Sequence, residues 1–486
     1  MRPWPVPVPL PDNPRFARRC FCSDIKMWYY ADAQALQARR ASDEQFVEWM
    51  ADSGLNRFLW IHHPGDTWDE IPPMAEALRR RGIGIEHGGH ILPTLLPRER
   101  IRDIPEAFRL NQHGERAPDG NCCPHSAVAL KVILAGIDKL LDAHPETPLL
   151  HFWGADIRGG GWCYCKHCQR LTPQDQLLLL CNYIAEHVER RVNAPEIAYL
   201  AYYDTIIPNL SISPHPKVAV EFAPRDRSYR FGLAGPDAYN APLAAGLTEY
   251  LRIFSGRVHV FEYHMDSVLF GGLYAPLLQT LYEDLNFYHS IGVRSISNLY
   301  FDDYSILAHA PTFPAYALWT RSSQVEPGEL RLRLVGEYAQ TWSELESAAG
   351  KLLAHSELRY PERTDPARWE MLHALGEAAQ KQLGLLLRAC KQRRLHDPRA
   401  LRLDFLRYSV KLARARQLQL EAAIKAAAGD HEAARALRAT ALAALGQTDA
   451  LLEALSPASK GLFGVRFLPY MSRIHQAYLQ HGTFMG

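Results

Sequence analysis

From residue 20 onward, short apolar runs rich in β-branched and aromatic residues alternate with stretches whose apolar positions recur at helical spacing. This is the pattern of parallel strands joined by helical crossovers. The runs predict eight strands, at 20–28, 57–62, 83–87, 149–154, 197–203, 217–222, 257–263 and 294–300. Amphipathic spacing predicts helices between them, for example at 43–53, 70–82, 173–192, 243–254 and 274–291. Eight such units in about 300 residues match a (β/α)8 TIM barrel. A doubly wound open sheet is the alternative, but no Gly-rich phosphate loop follows an early strand.

After about residue 325 the strand signal stops, and long Leu/Ala/Arg/Glu-rich helical patterns follow at 327–355, 366–394, 398–428 and 431–455. Tyr360-Pro361, Asp397-Pro398 and Gly429-Asp430 punctuate them as breaks between packed helices. The expected organisation is therefore a catalytic barrel over 1–325 and an all-α helical bundle over 326–486.

Charge sharpens this division. The chain has 54 basic and 53 acidic side chains, so it lacks the broad positive field that non-specific nucleic-acid binding needs. Residues 331–486 hold 23 basic and 15 acidic groups, while the remainder is acidic overall. The basic helices are expected to dock on the barrel or on a second copy of the chain, not to form a nucleic-acid module. No run of 18 apolar residues occurs, so no membrane partner is expected. Nine cysteines, two of them adjacent (Cys122 and Cys123), look unlike a secreted disulfide framework and suggest a cytoplasmic protein.

In such barrels chemistry sits where strands end, and here the strand ends are polar. They deliver His87 and His90, Trp153 and Asp156, Tyr203, Glu221 and Arg225, Glu262 with Tyr263 and His264, and Tyr300 with Asp303. Carboxylates facing one another across a mouth with aromatics between them suit glycosidic bond cleavage, in which one carboxyl protonates the leaving oxygen while another supports the cationic centre or activates water. Any one of these acids could equally be a helix cap or an ion-pair partner. Glu262 stands out because it lies inside an apolar run. The expected catalytic groups are Asp156 and Glu262, with Glu221 in reserve, and the rest bind carbohydrate. Two rivals are a non-hydrolytic sugar-binding barrel and a metal-dependent hydrolase using His87 and His90. No catalytic cofactor is expected. Cys163, Cys165 and Cys168, with Cys123 as a fourth, allow a structural zinc, free buried thiols or a disulfide.

Several motifs stand in a familiar order. GGH is followed by LLP (88–96), Cys123 precedes a helix, Asp156 precedes the cysteine cluster, and an aliphatic strand ends in Phe261-Glu262-Tyr263. Over roughly 57–320 this resembles the bacterial glycosidase-like family called domain of unknown function 4838. The resemblance implies a (β/α)8 barrel related at fold level to β-hexosaminidases and α-glucuronidases. Asp156 matches that family's acid before the cysteines. Glu262 stands where the family more often has Asp after Trp, and Glu221-Phe-Ala-Pro-Arg225 replaces its usual cysteine-containing motif.

Overall fold

The computed structural model describes residues 6, 8–23, 33–62, 74–267, 269–270, 275–300, 305–306, 309–352, 369–391 and 400–453. Among the described residues there are ten strands: β1 (Arg18–Ser23), β2 (Arg57–Ile61), β3 (Gly84–Gly89), β4 (Phe108–Leu110), β5 (Arg116–Cys122), β6 (Leu149–Phe152), β7 (Glu196–Ala201), β8 (Val218–Phe222), β9 (Val258–Met265) and β10 (Ser295–Tyr300). Eight of them close a parallel barrel in the order β1-β10-β9-β8-β7-β6-β3-β2. This is the (β/α)8 barrel expected from the sequence. β4 and β5 form a separate antiparallel hairpin between the third and fourth barrel strands. The hairpin is absent from the sequence reading because its strands are short and largely polar (FRL and RAPDGNC) and carry little periodicity.

The outer helices sit where apolar spacing places them, including Pro173–Val188, Ala241–Ile253 and Leu278–Ser290. Each buries one face against the outside of the barrel, and the resulting core runs continuously from Phe16 to Leu330 and into the C-terminal helices. The helix Ala127–Ala143 starts at Ser126, whose hydroxyl accepts from the backbone N–H of Ala129 at 3.2 Å. Thr172 caps Pro173–Val188 in the same way, through the N–H of Asp175 at 3.0 Å.

Beyond the barrel, the pattern read at 327–355 is split by a 3-10 turn at Gly336–Tyr338 into Pro327–Val335 and Ala339–Leu352. The helices Trp369–Lys391, Ala400–Ala427 and His431–Glu453 follow, each packing on the next. The first two C-terminal helices rest on the barrel. Glu346 takes the Arg331 guanidinium at 3.1 Å and also accepts from the Gln279 N–H, and Ala349 enters the cluster that contains Tyr229. Among the described residues no helix is long and apolar enough to cross a membrane.

Candidate active site

Side chains alternate along a strand, so each barrel strand sends every second residue inward. On β9 the inward residues are Phe261 and Tyr263. Both join an interior cluster with Cys20, Cys22, Leu59, Ile61, Trp153 and Leu200. The Trp153 and Phe261 rings, from strands three positions apart in the barrel, meet edge to face at 5.5 Å.

Glu262 and His264 have the opposite parity and point away from the lumen. Glu262 is fully buried behind the wall, where Arg227 Nη1 donates to its Oε1 at 2.8 Å and the Tyr288 hydroxyl donates to the same oxygen. His264 Nε2 lies 2.7 Å from Asp284, which also pairs with Arg227 at 2.7 Å. These groups lock strand to helix. Glu262, expected as a catalytic carboxylate, and His264, expected as a sugar ligand, are thus placed behind the barrel wall: an unpaired charge in that apolar run would be costly, and the fold supplies Arg227 as the partner of Glu262.

The same parity displaces two further candidates. His87 faces outward, with Nδ1 3.0 Å from His62 Nε2 and its ring stacked on His144 at 3.8 Å. Among the described residues His87 thus gathers with His62 and His144, a buried trio whose ring nitrogens lie close enough to hold a metal ion, and not with His90 at the mouth. Tyr300 packs outside the barrel among Phe21, Phe46 and Phe313. Asp303 lies outside the described residues.

Inside the barrel, below the mouth, a polar layer is closed from solvent. Arg18 Nε donates to Glu86 at 2.7 Å, and His151 bridges Glu86 at 3.0 Å and Glu221 at 2.7 Å. Burial alone would push the His151 imidazole down, but the Glu221 charge and hydrogen bonds to both carboxylates hold it above its ordinary value. Burial likewise opposes ionisation of Glu221, yet His151 keeps it below the usual carboxylate range. Arg18 and His151, with Arg57 3.8 Å from Glu86, thus stand against the two carboxylates. Glu221 spends its Oε2 on His151 and on the Trp153 indole N–H, at 2.8 Å. Glu221, expected as a reserve catalytic acid, is thus placed below the mouth, buried and bonded to the residue that forms its floor.

The mouth is formed by the groups that rise above this layer. Trp153 is the floor, with the His90 ring 5.2 Å away and His90 Nδ1 bonded to the Gly154 carbonyl. Tyr202 stands beside them, 6.4 Å from His90, and Tyr263 lies within 5.7 Å of the Arg225 guanidinium. Burial lifts the Tyr202 and Tyr263 phenols well above their ordinary range, so both are neutral donors and stacking faces, not nucleophiles. Asp156 is exposed on the loop after β6 and acts electrostatically on Tyr202. Asp266 follows β9 and takes Arg225 through Nε at 3.1 Å and Nη2 at 3.0 Å.

A pocket of about 350 Å3 opens beside the mouth, lined by Arg158, Tyr202, Tyr203, Asp204, Arg225 and Asp226 among others. Its size lies in the range of small-molecule sites. Arg158 pairs with Asp226 and stacks over Tyr203 at 4.8 Å. Asp204 ties the Gly-rich loop in place, accepting from the N–H groups of Gly159 at 2.9 Å and Gly160 at 3.1 Å and from the Trp162 indole at 2.9 Å.

The structure therefore brings together His90, Trp153, Asp156, Tyr203, Arg225 and Tyr263, holds Glu221 in the layer directly beneath Trp153, and places His87, Glu262, His264 and Tyr300 on the outer side of the wall. Sequence reasoning missed Tyr202 and Asp266. The signal was strand parity: Tyr202 follows Leu200 by two residues, and Leu200 already faces the lumen.

The sequence model of the family described as Domain of unknown function (DUF4838) matches residues 28–312. No curated protein matches the chain. Among solved structures, the chain is similar to a GH138 enzyme targeting pectin rhamnogalacturonan II, with a TM-score of 0.57 and 9% identity over 97% of this chain and 69% of that one. It is also similar to the family 89 glycoside hydrolase from Clostridium perfringens in complex with PUGNAc, with a TM-score of 0.52 and 12% identity over 96% of this chain and 59% of that one. At these identities the likeness is one of fold.

Proposed function

The chain belongs to the DUF4838 family, and from that premise we propose that it is a glycoside hydrolase cleaving an oligosaccharide or glycoside at the C-terminal mouth of the barrel. The observation that carries this reading is the convergence, over one closed floor, of Trp153, Tyr202 and Tyr263 with Asp156 and the Arg225–Asp266 pair. Aromatic faces stack on sugar rings, neutral phenols and the Arg225 guanidinium hydrogen-bond hydroxyls, and carboxylates handle the proton and the developing positive charge.

In this reading Asp156 is the acid/base group. It stands exposed after the fourth barrel strand, where a leaving-group oxygen and water both have access. Asp266 follows the seventh barrel strand and is as buried as Glu221, but its partner Arg225 lines the pocket at the mouth, so we assign it as the second carboxylate, in the role first given to Glu262. Its hydrogen bonds to Arg225 and to the Leu269 N–H at 2.8 Å hold it in one orientation. The fold of the GH138 and family 89 enzymes supports the reaction class, since both are named as glycoside hydrolases.

Turnover is the test. Purified full-length protein is screened against aryl glycosides and oligosaccharides, including uronides and N-acetylhexosaminides. Release of reducing sugar or aglycone that falls at least ~100-fold in both Asp156→Asn and Asp266→Asn is the expected result. Saturable sugar binding without turnover makes the protein a binding barrel. Turnover that survives Asp266→Asn but not Asp303→Asn moves the second carboxylate to the eighth strand.

A further inference from the structure

Four cysteines from two separate segments meet head to head beside the mouth. Cys123 follows the end of β5, and Cys163, Cys165 and Cys168 sit on the loop after β6. Their four sulfur atoms all lie within 4.8 Å of one another. Cys123 Sγ is 3.9 Å from Cys165 Sγ and 3.9 Å from Cys168 Sγ. A disulfide needs about 2.05 Å between sulfurs. Four thiolates around one zinc at about 2.3 Å stand roughly 3.8 Å apart at the corners of a tetrahedron. The observed spacing matches the second arrangement.

We propose that Cys123, Cys163, Cys165 and Cys168 bind one zinc ion in a closed four-thiolate site that staples the β4–β5 hairpin to the loop carrying Asp156. This inference is independent of the reaction proposed above.

The second coordination layer fits a metal better than a packed group of thiols. The Leu110 N–H points at Cys163 Sγ at 3.4 Å, a bond that favours the thiolate. Gln176 is buried and fully committed to the loop. Its Oε1 accepts from the Cys163 N–H at 3.0 Å, and its Nε2 donates to the carbonyls of Cys163 at 3.1 Å and Cys168 at 3.3 Å. Ordinary buried cysteines pack by their apolar sides, as Cys181 does in the core, and need no such frame.

On binding, four thiols release four protons to solvent and one Zn2+ enters, leaving a site charge of −2 in a segment that also carries Lys166 and His167. With four sulfurs and no open position the ion has no catalytic vacancy, so its role is to hold chain segments together. What it holds is specific. Gly120 and Gly161 pack backbone to backbone, and a Cβ on Gly120 would come within 2.5 Å of Gly161 Cα. The Asn121 N–H donates to the Gly161 carbonyl at 2.8 Å, and Asn121 Oδ1 accepts from the Ala155 N–H at 2.8 Å, directly before Asp156. The hairpin, zinc and loop thus form one clamp around the Asp156 turn.

The experiment uses the reduced full-length protein purified without chelators. Elemental analysis is expected to give one zinc per chain. Replacement by Co2+ is expected to give the intense sulfur-to-cobalt charge-transfer and ligand-field bands of a tetrahedral thiolate site. Cys165→Ser should lose most of the zinc and alter the cobalt bands, whereas Cys181→Ser should keep full stoichiometry. Absence of both zinc and a cobalt–thiolate spectrum overturns the proposal, as does a disulfide among the four found by peptide mass mapping of alkylated protein. If Cys165→Ser fails to fold, the cobalt spectrum of the unmodified chain decides alone.

Discussion

Phe261 and Glu262 are neighbours on β9 that face opposite ways, and their measurable consequences should differ accordingly. Removing Glu262 leaves Arg227 charged and buried with one partner fewer, so Glu262→Ala should lower the free energy of unfolding by about 3–5 kcal/mol while turnover per folded molecule stays near wild type. Asp156→Asn should do the reverse, with stability within about 0.5 kcal/mol and turnover reduced at least ~100-fold. Denaturant titration beside steady-state kinetics separates the two. Histidine burial adds a pH signature. Burial pushes His259 down to about 4, reinforced by the Arg18 charge, and pushes His309 down to about 4 despite its bond to the Ala275 carbonyl. Both accept a proton in the unfolded chain near pH 6.5 but not in the folded one, so stability is lost as pH falls from about 6.5 toward 4. The contribution is on the order of 2 kcal/mol each at pH 5. His151 has the opposite sign, because its raised value removes stability as pH rises through it. Thermal unfolding from pH 8 to pH 5 should show the acid loss, and His309→Gln should flatten it.

Among the elements, all eight barrel strands were legible because each is a short apolar run between turn signals. Their orientation was not. Strands buried on both faces read as continuous apolar stretches, and nothing in VHVFEYHM marks which parity meets the lumen. That choice is made by the neighbouring strands, whose register pairs Ser297 with Phe261 inside and Asn298 with Glu262 outside. Packing between elements also explains Gly88. Its φ is +132°, and a Cβ there would lie 2.0 Å from the His151 carbonyl oxygen on the adjacent strand. Gly88→Ala is therefore expected to break the β3–β6 seam and yield little soluble protein, while Ser126→Ala, which removes one helix cap, should cost only about 1 kcal/mol. Soluble yield and melting temperature of the two variants test this contrast.

Across the molecule, the C-terminal helices act as part of the barrel's wall. Ala349 shares a cluster with Tyr229, and the Glu346 carboxylate is buried between Arg331 and the start of the helix Leu278–Ser290. A chain cut after about residue 325 should expose this apolar seam and aggregate, which light scattering of the truncated protein would reveal. A soluble and fully active truncated barrel would show that the helices are dispensable.

The number of barrel strands, their alternation with helices, the switch to an all-helical C-terminal region, and the set of residues chemically able to act can all be read along the chain, because periodicity and side-chain type are local properties. Which of those residues meet is settled in three dimensions. Inward and outward parity on a doubly buried strand, the withdrawal of Glu262 to Arg227, and the convergence of Cys123 with three cysteines some 40 residues later all depend on contacts between segments distant in the chain. A polar residue at a strand end becomes a mouth residue or a hidden ion pair according to what the neighbouring elements place beside it.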